Sequence, residues 1–413
     1  MTSPADSSAD SVRITGVAAG GAGIAREPSG RVLFVEGALP GELVVAEVIA
    51  QRRDHARAVA VEVVEPAPGR VAPPCPWVAA GCGGCGWQHV SPDVQRELKS
   101  RVVADALRRL GGVTDPAVGP GPVLATAGYR TTLRGVADED GRFALRAHRS
   151  HDLVAVPTCL VAHPLVAEVL AEGRFPPGAE VTVRAGARTG ERLVVVDGPG
   201  TGPHDGADEA GVVVPERVRV VTGAALAAGR RAWLHEEVAG VRLRVSARSF
   251  FQAGPEAAEA LVAAVAEAVG PLGPDDRVAD LYGGVGLFGA TVGGGARTVL
   301  VEASASAAAD ARINVRGMDR PARVVRSDVA RWRPRRMDLA IADPPRAGLG
   351  RGGARAVAGT HARRVVLVSC DAGSLGRDVA LLGAAGYRWV SSTLVDTLPH
   401  TPHVEVVTRL DRA

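Results

Sequence analysis

Short apolar runs separated by glycine turns dominate the first 65 residues of the chain. Residues 32–35 and 43–48 are rich in β-branched side chains, and a glycine cluster occupies residues 20–23. Strands of this length and spacing are typical of a small antiparallel barrel. We therefore predict a β-barrel domain at residues 11–66, preceded by a disordered tail at residues 1–10, which are small and polar.

The pattern is less regular between residues 67 and 240. A helix is predicted over residues 96–110, with a possible N-terminal cap at residues 91–93. Residues 198–206 are rich in glycine and proline, which predicts an exposed and mobile loop. We assign residues 67–240 to a central α+β domain.

Apolar strands alternate with helices from residue 256 onward. Residues 256–269 form an alanine-rich helical pattern, and residues 303–316 form another. Buried-type strands are predicted over residues 277–282, 298–302, 323–325, 337–342 and 364–368. This alternation is typical of a parallel, doubly wound sheet. We therefore predict an α/β fold whose C-terminal domain, residues 241–413, is Rossmann-like.

Polar residues follow the predicted strands of this sheet. They are Asp280, Glu302, Asp328, Asp343 and Cys370. In a doubly wound sheet the ligand lies outside the carboxyl ends of the strands. The first strand leads through Tyr282 into a glycine loop at residues 283–286, which lacks the full spacing of the dinucleotide fingerprint. That loop is either a tight turn without a ligand or the approach to one, with Glu302 placed to accept hydrogen bonds from a ribose.

Cys370 and Glu405 are the candidates for chemistry. Cys370 ends a predicted strand and precedes a possible helix, and a helix N-terminus favours a thiolate. An inert buried thiol is the alternative. Glu405 enters an apolar strand, either as an exposed position of an edge strand or as a general base. A cysteine that adds to carbon 6 of uracil allows carbon 5 to attack an activated methyl group, after which a base must remove a proton.

The chain contains five cysteines. Cys75, Cys82 and Cys85 are close together in sequence, whereas Cys159 stands apart. With Cys370 set aside, four thiolates suit an iron–sulfur cluster or a zinc ion. Their spacing differs from the paired short knuckles that zinc sites commonly use.

Composition limits the class of protein. A length of 413 residues predicts two or three domains. No apolar stretch reaches the length of a membrane span, and the first residues show no secretory pattern, so we expect a cytoplasmic protein without membrane contact. The net charge is +3, and Lys99 is the sole lysine in an otherwise arginine-only set of basic residues. This arginine bias is compatible with RNA binding without indicating it.

Several motifs, in order along nearly the whole chain, resemble those of the RNA 5-methyluridine methyltransferases. The resemblance is to the iron–sulfur-bearing bacterial branch that modifies large-subunit ribosomal RNA. The motifs are SFFQ at 249–252, DLYGGVG at 280–286, DPPRAG at 343–348, VSC at 368–370 and PHTPHVE at 399–405. The N-terminal barrel resembles a TRAM domain, an RNA-binding OB-like fold. Residues 81–89, GCGGCGWQH, resemble the family's cluster motif.

The resemblance implies a role for each candidate residue. Cys370 would be the nucleophile and Glu405 the proton acceptor. The S-adenosylmethionine site would be lined by Gln252, Tyr282, Glu302, Asp328 and Asp343. A [4Fe–4S] cluster would be bound by Cys75, Cys82, Cys85 and Cys159, with zinc as the less favoured occupant.

The implied activity is the formation of 5-methyluridine in RNA by a monomeric enzyme, with rRNA favoured as the target. The same chemistry on tRNA is one alternative, and a non-catalytic RNA-binding or ribosome-assembly protein is another.

Three positions depart from the family pattern. Gly283 stands where a cysteine is frequent, Leu287 where a polar residue is common, and Asp371 where asparagine follows the catalytic cysteine. The extra carboxylate of Asp371 is expected to raise the pKa of a neighbouring thiol.

Overall fold

The computed structural model describes residues 11–413 except Pro28, 199–201, 203–205, 208–210 and Pro321. The predicted tail at residues 1–10 and most of the predicted loop at 198–206 lie outside the described residues. No helix in the described part of the chain is long and apolar enough to span a bilayer.

In chain order, the strands are β1 Ser11–Arg13, β2 Gly16–Val17, β3 Gly23–Arg26, β4 Val32–Glu36, β5 Leu43–Gln51, β6 His55–Glu65, β7 Val118–Pro120, β8 Thr132–Ala137, β9 Phe143–Arg146, β10 Leu153–Ala155, β11 Glu180–Ala185, β12 Arg192–Asp197, β13 Val218–Thr222, β14 Trp233–Val238, β15 Val241–Ser246, β16 Arg277–Leu281, β17 Arg297–Glu302, β18 Ala322–Arg326, β19 Leu339–Ala342, β20 Arg364–Ser369, β21 Tyr387–Leu394 and β22 Val406–Arg412. The helices are α1 Pro92–Arg109, α2 Pro164–Glu172, α3 Gly223–Ala227, α4 Pro255–Val269, α5 Leu287–Ala290, α6 Ala305–Asn314, α7 Gly350–Ala358 and α8 Ala372–Ala384, and the short 3-10 turns are Pro76–Val78 and Val329–Arg331.

The N-terminal domain is one six-stranded sheet in the order β1-β5-β6-β4-β3-β2. Alternate residues of its strands face inward, and Ile14, Leu33, Val35 and Val44 form its core. The predicted strands at residues 32–35 and 43–48 are therefore confirmed as β4 and β5. One pairing differs from the antiparallel prediction, because β4 and β6 run parallel.

The central region contains a second six-stranded sheet, in the order β10-β9-β8-β11-β12-β13. Helix α2 packs on it, and Phe143, Val169, Leu170 and Val181 are buried between them. Strands and a helix thus share one apolar core, as an α+β arrangement requires.

The C-terminal sheet has eight strands in the order β18-β17-β16-β19-β20-β22-β21-β7. The strands from β18 to β20 are mutually parallel, as predicted, whereas β22 runs antiparallel to both β20 and β21. The chain moves outward from β16 to β18 and then resumes at β19 on the other side of β16. The gap between β16 and β19 is therefore the switch point where such folds bind ligands.

Two features differ from the predicted boundary at residues 240 and 241. Strand β7 comes from the predicted central domain, yet it pairs with β21 and completes the C-terminal sheet. The hairpin of β14 and β15 straddles the boundary, because Val238 pairs with Val241. The pairing partner of β7 is distant in sequence, which local patterning does not reveal, whereas β14 and β15 pair with each other across the predicted boundary.

Helix α1 also belongs to the C-terminal layer, where it packs closely on α8. Leu107 and Leu375 are fully buried in the shared core. The two backbones meet at Gly376, where an added Cβ would lie 2.6 Å from the Ala106 carbonyl oxygen. The absence of a side chain at Gly376 therefore permits the contact.

We predict that Gly376→Ala lowers the free energy of unfolding by about 1 to 3 kcal/mol, because the methyl group overpacks the contact between α1 and α8. Gly383→Ala is the matched control on the same helix, since no atom lies within 4 Å of its added Cβ. That control should stabilise the protein by about 0.5 to 1 kcal/mol through helix propensity. Urea denaturation measures the unfolding free energy of both variants. Equal changes for the two substitutions would contradict the interpretation.

Candidate active site

The first strand of the doubly wound sheet leads into a tight backbone turn at residues 282–286, which we call the cradle. Asp280 of β16 is fully buried, and its Oδ2 accepts a hydrogen bond of 2.8 Å from the Gly289 amide, whereas its Oδ1 has no partner among the described residues. Gly284 and Gly286 have φ angles of +54° and +93°, which favour glycine. Tyr282 also has a positive φ, +59°, which is uncommon for a residue with a side chain. The loop is therefore an unusually constrained turn, and the strand that precedes it carries an unpaired buried acceptor.

Glu302 ends β17 and closes this loop. Its Oε2 accepts a hydrogen bond of 3.0 Å from the Gly284 amide, and its Oε1 accepts one of 2.6 Å from the Ser304 amide. The carboxylate is thus held at the rim of the cradle, where the sequence predicts contact with a ligand.

The two departures in the glycine loop have packing reasons. A Cβ at residue 283 would lie 2.5 Å from the Leu300 Cγ, so a side chain there would require β17 to repack. Leu287 begins α5 and is only 6% exposed within an apolar cluster that includes Phe288. Both residues therefore belong to the local core of this chain.

The SFFQ segment lies beside the cradle. The Ser249 hydroxyl donates a hydrogen bond of 2.7 Å to Asp310 of α6. Phe251 packs on a cluster that contains Val285 of the glycine loop. Gln252 is buried and Phe250 is 74% exposed, so the segment sends one side chain inward and one toward solvent.

Two further candidate acids lie at the same edge. Asp343 follows β19, and its amide donates a hydrogen bond of 3.2 Å to the Leu281 carbonyl at the end of β16. Asp328 is exposed after β18, where its carboxylate accepts from the Ala330 amide at 2.8 Å. Burial and then the charge of Asp328 raise the pKa of Tyr282 to about 12, which places Asp328 near the cradle.

The register of the antiparallel strands β20 and β22 brings Cys370 and Glu405 together. Ser369 pairs with Val406, so the next positions along the two strands place Cys370 opposite Glu405. Residues opposite each other across such a pair have Cβ atoms roughly 5 Å apart. Two residues that are 35 positions apart in sequence thus become neighbours at the carboxyl edge of the sheet.

The electrostatics of this edge favour protonated groups. Burial raises the pKa of Cys370 to about 11, and the charges of Glu405 and Asp343 act in the same direction. Burial also raises the pKa of Glu405 well above its ordinary value, with Asp343 as the next contributor. Arg346 opposes both shifts without overcoming them. The thiolate expected from a helix N-terminus is therefore not favoured in the protein alone.

Asp371 is not among the main causes of the raised Cys370 pKa. Its carboxylate accepts a hydrogen bond of 2.7 Å from the Ser374 amide and caps α8. The charge that raises the Cys370 pKa comes instead from Glu405 and Asp343. Capping by Asp371 uses the helix N-terminus that would otherwise stabilise a thiolate.

His403 and Arg346 form the outer wall of the site. Arg346 Nη2 lies 3.2 Å from His403 Nε2. Burial and the positive charge of Arg346 lower the pKa of His403 to about 4, so the imidazole is neutral and accepts this hydrogen bond.

The four remaining cysteines line one cavity of about 330 Å³, which extends to Arg346 and His403. The lining thiols are Cys75, Cys82, Cys85 and Cys159. Burial raises the pKa of Cys85 to about 11, and Gln88 opposes that shift by a hydrogen bond to it. As these side chains are placed, no group of three or more Cys, His, Asp or Glu residues in the described ranges could hold a metal ion. The structure therefore confirms that the thiols share a cavity and does not show a metal site.

Comparison with known proteins identifies the family. The TRAM domain family matches residues 11–61. An RNA methyltransferase of Streptomyces coelicolor is 37% identical, over 97% of this chain and 92% of its own length. The chain belongs to the RNA methyltransferase family.

Members of this family with a named target are also similar to the chain. The 23S rRNA (uracil(1939)-C(5))-methyltransferase RlmD of Chromohalobacter salexigens is 31% identical, over 98% of this chain and 90% of its own. The solved structure of the tRNA (uracil-54, C5)-methyltransferase of Pyrococcus abyssi, in complex with S-adenosyl-L-homocysteine, has a TM-score of 0.74. It is 23% identical and covers 98% of this chain and 100% of its own, so it confirms the fold.

Sequence reasoning did not assign site roles to Asp280, Arg346 or Lys99. An acid within the apolar strand β16 was the available signal for Asp280, and the sole lysine of the chain was the signal for Lys99. The available signal for Arg346 was its place in the DPPRAG motif at residues 343–348.

We predict that Asp280→Asn stabilises this RNA methyltransferase more at about pH 8 than at about pH 5. Burial raises the pKa of Asp280 to about 7 from 3.8, so wild type loses stability as the pH rises between these values, because the unfolded chain releases the proton first. Asparagine retains an acceptor for Gly289 and does not titrate. The difference in unfolding free energy should grow by about 2 kcal/mol across that range.

The measurement is urea denaturation of both proteins at the two pH values without a methyl donor. If the difference in unfolding free energy between the two proteins were the same at both pH values, Asp280 would not be protonated in the native state.

Proposed function

We propose that this RNA methyltransferase uses S-adenosylmethionine to form 5-methyluridine in RNA, with 23S rRNA as its target. The observation that carries the proposal is the β20–β22 register, which sets Cys370 opposite Glu405. This is the pair that uracil-C5 methylation requires, a nucleophile and a proton acceptor at one carbon–carbon bond. The 23S rRNA methyltransferases among the relatives, at 31% and 32% identity, support the choice of RNA.

The cradle fits an adenosyl methyl donor. The Asp280 Oδ1 atom has no partner among the described residues, and the space beside Gly284 is open, since no atom lies within 4 Å of an added Cβ there. Glu302 at the rim is an acceptor for ribose hydroxyls. We assign the donor site to Gln252, Tyr282, Glu302, Asp328 and Asp343, and S-adenosylmethionine supplies the activated methyl group there.

The residues of the chain then perform the remaining steps. Cys370 loses its thiol proton to solvent, and its sulfur bonds to carbon 6 of a uracil flipped out of the RNA. Carbon 5 takes the methyl group as the bond between that group and the donor sulfur breaks. Glu405 must give up its own proton to solvent before it can act as a base. Its carboxylate then takes the carbon-5 proton, and the electron pair left behind re-forms the double bond and expels the Cys370 thiolate.

We also propose that Cys75, Cys82, Cys85 and Cys159 bind a [4Fe–4S] cluster. Four thiols around one cavity are the donor set that such clusters use. The spacing of Cys75, Cys82 and Cys85 differs from the paired short knuckles that zinc sites commonly use, which favours the cluster over zinc. The cluster has a structural role in this proposal, since methyl transfer needs no external oxidant or reductant. Its cavity adjoins Arg346 and His403, so a bound cluster would support the wall of the uracil pocket.

A tRNA target is the second candidate, favoured by the fold match to the Pyrococcus abyssi enzyme. A monomer in the cytoplasm stays the expectation from sequence for either target.

We expect wild-type protein, incubated with methyl-labelled S-adenosylmethionine and undermodified total RNA, to place the label in 5-methyluridine of 23S rRNA. Cys370→Ala should reduce incorporation by at least about a thousandfold, because no adduct forms. Glu405→Gln should methylate once and remain covalently bound, since no group removes the carbon-5 proton. Nucleoside analysis and denaturing gels measure these outcomes, and label in tRNA alone would transfer the proposal to the second candidate.

Asp371→Asn is the matched control, because it changes the residue beside Cys370 and retains the α8 cap. Full activity of Cys370→Ala would contradict the proposed chemistry.

The cluster proposal predicts about four irons per chain after anaerobic purification. Cys159→Ser should lose most of this iron, whereas Cys370→Ser should retain it. Iron analysis and visible absorption test both variants, and stoichiometric zinc in place of iron would contradict the assignment.

A further inference from the structure

Lys99 is an exception in this chain. All the other residues in the set of 48 lysines and arginines are arginine. Lys99 lies on α1, is 1% exposed and is one of the largest fully buried side chains among the described residues. A buried charge is costly unless it is paired, so its presence at this position calls for a specific partner.

The partner is the loop that connects β21 to β22, residues 395–405. Lys99 Nζ donates a hydrogen bond of 2.6 Å to Asp396 Oδ1 and one of 3.1 Å to the Leu398 carbonyl. Asp396 is itself only 6% exposed. The ammonium group therefore holds the beginning of the 395–405 loop at two points from outside it.

Neighbouring groups hold the middle of the loop. Gln95, one turn before Lys99 on α1, accepts from the His400 amide at 2.7 Å. Trp87 donates its amide to the His400 carbonyl at 2.8 Å, and the Tyr129 hydroxyl donates to the Pro399 carbonyl at 3.1 Å. His400 has a φ angle of +65°, a strained conformation for a residue with a side chain. Contacts from outside the loop thus maintain a shape that its own backbone disfavours.

The same loop ends in the proposed catalytic base. The Val395 amide donates to the Glu405 carbonyl at 2.8 Å, so the start and the end of the loop are joined. Asp396 follows Val395 directly, which places the Lys99 ion pair one residue from this junction. A change in the position of Asp396 is therefore transmitted to the backbone of Glu405.

We propose that Lys99 is a positioning residue, whose buried ion pair with Asp396 holds the 395–405 loop so that Glu405 faces the uracil attached to Cys370. The inference rests on the proposed uracil-C5 chemistry. Lysine suits this place because its compact ammonium fits between Asp396 and the Leu398 carbonyl, whereas the planar guanidinium of arginine requires more space. This accounts for a lysine in a chain that otherwise uses arginine.

The test removes the ion pair without leaving a buried charge. In the double variant Lys99→Met, Asp396→Asn both charges are absent, so the fold avoids the penalty of an unpaired partner. Single-turnover and steady-state reactions use labelled S-adenosylmethionine and the RNA that wild type methylates. The readouts are the turnover number, the KM for RNA, the melting temperature and the amount of covalent RNA–protein adduct on denaturing gels.

We expect the double variant to melt near the wild-type temperature and to turn over at least about tenfold more slowly, with the KM for RNA within about twofold. The adduct should accumulate as it does in Glu405→Gln, because Cys370 lies outside the 395–405 loop and still reacts. Accumulation of adduct is a readout that a general loss of stability does not produce.

The matched control is Arg364→Met, Asp411→Asn, which removes an ion pair of 2.9 Å at the opposite end of β20 from Cys370, together with the ion pair of Asp411 with Arg409. It should accumulate no adduct. Normal turnover of the Lys99 double variant would overturn the inference, and so would slow turnover with a lowered melting temperature and no adduct. Failure of wild type to methylate uracil in any RNA would instead overturn the proposed function.

Discussion

The antiparallel pairing of β22 with β20 is the constraint on which the candidate site depends. In a purely parallel sheet, the strand beside β20 would end, rather than begin, at the carboxyl end of β20. Because β22 runs antiparallel to β20, Glu405, which precedes β22, lies beside Cys370, which follows β20. Because pairing alternates side chains between faces, a shift of one residue would turn one of the two groups away. The buried apolar residues of both strands therefore specify the register that the chemistry uses.

Desolvation determines the charge state of the groups gathered at this edge. Asp280, Asp343, Glu405 and Cys370 all have raised pKa values, with burial as the largest cause in each. The protein by itself thus stabilises neutral carboxyl and thiol groups, and a positively charged methyl donor would reverse part of this effect. In the proposed mechanism such a site would separate binding from reaction, since Cys370 would gain charge only when a counter-charge is present.

Three parts of the chain contribute to a single wall. The cavity of the four cysteines adjoins Arg346 and His403 of the C-terminal domain. The Trp87 indole donates to the Gly21 carbonyl of the N-terminal domain at 3.1 Å, and the Trp87 amide donates to His400. The arrangement links the TRAM domain, the cysteine segment and the 395–405 loop through one aromatic residue. Hydrogen bonds of Trp87 therefore connect the TRAM domain to the loop that bears Glu405.

The sequence by itself determined the alternation of strands and helices after residue 256 and the polar residues at the strand ends, because apolar periodicity and glycine turns are local properties. It also determined the family, because several motifs occur in order. Only the tertiary structure decided that β7 joins the C-terminal sheet, that Asp371 caps α8, and that Lys99 pairs with Asp396. The first and third of these contacts join residues that are distant in sequence. The second is one of several hydrogen bonds that Asp371 could form. Their outcome follows from packing and desolvation across the whole molecule, which no local pattern encodes.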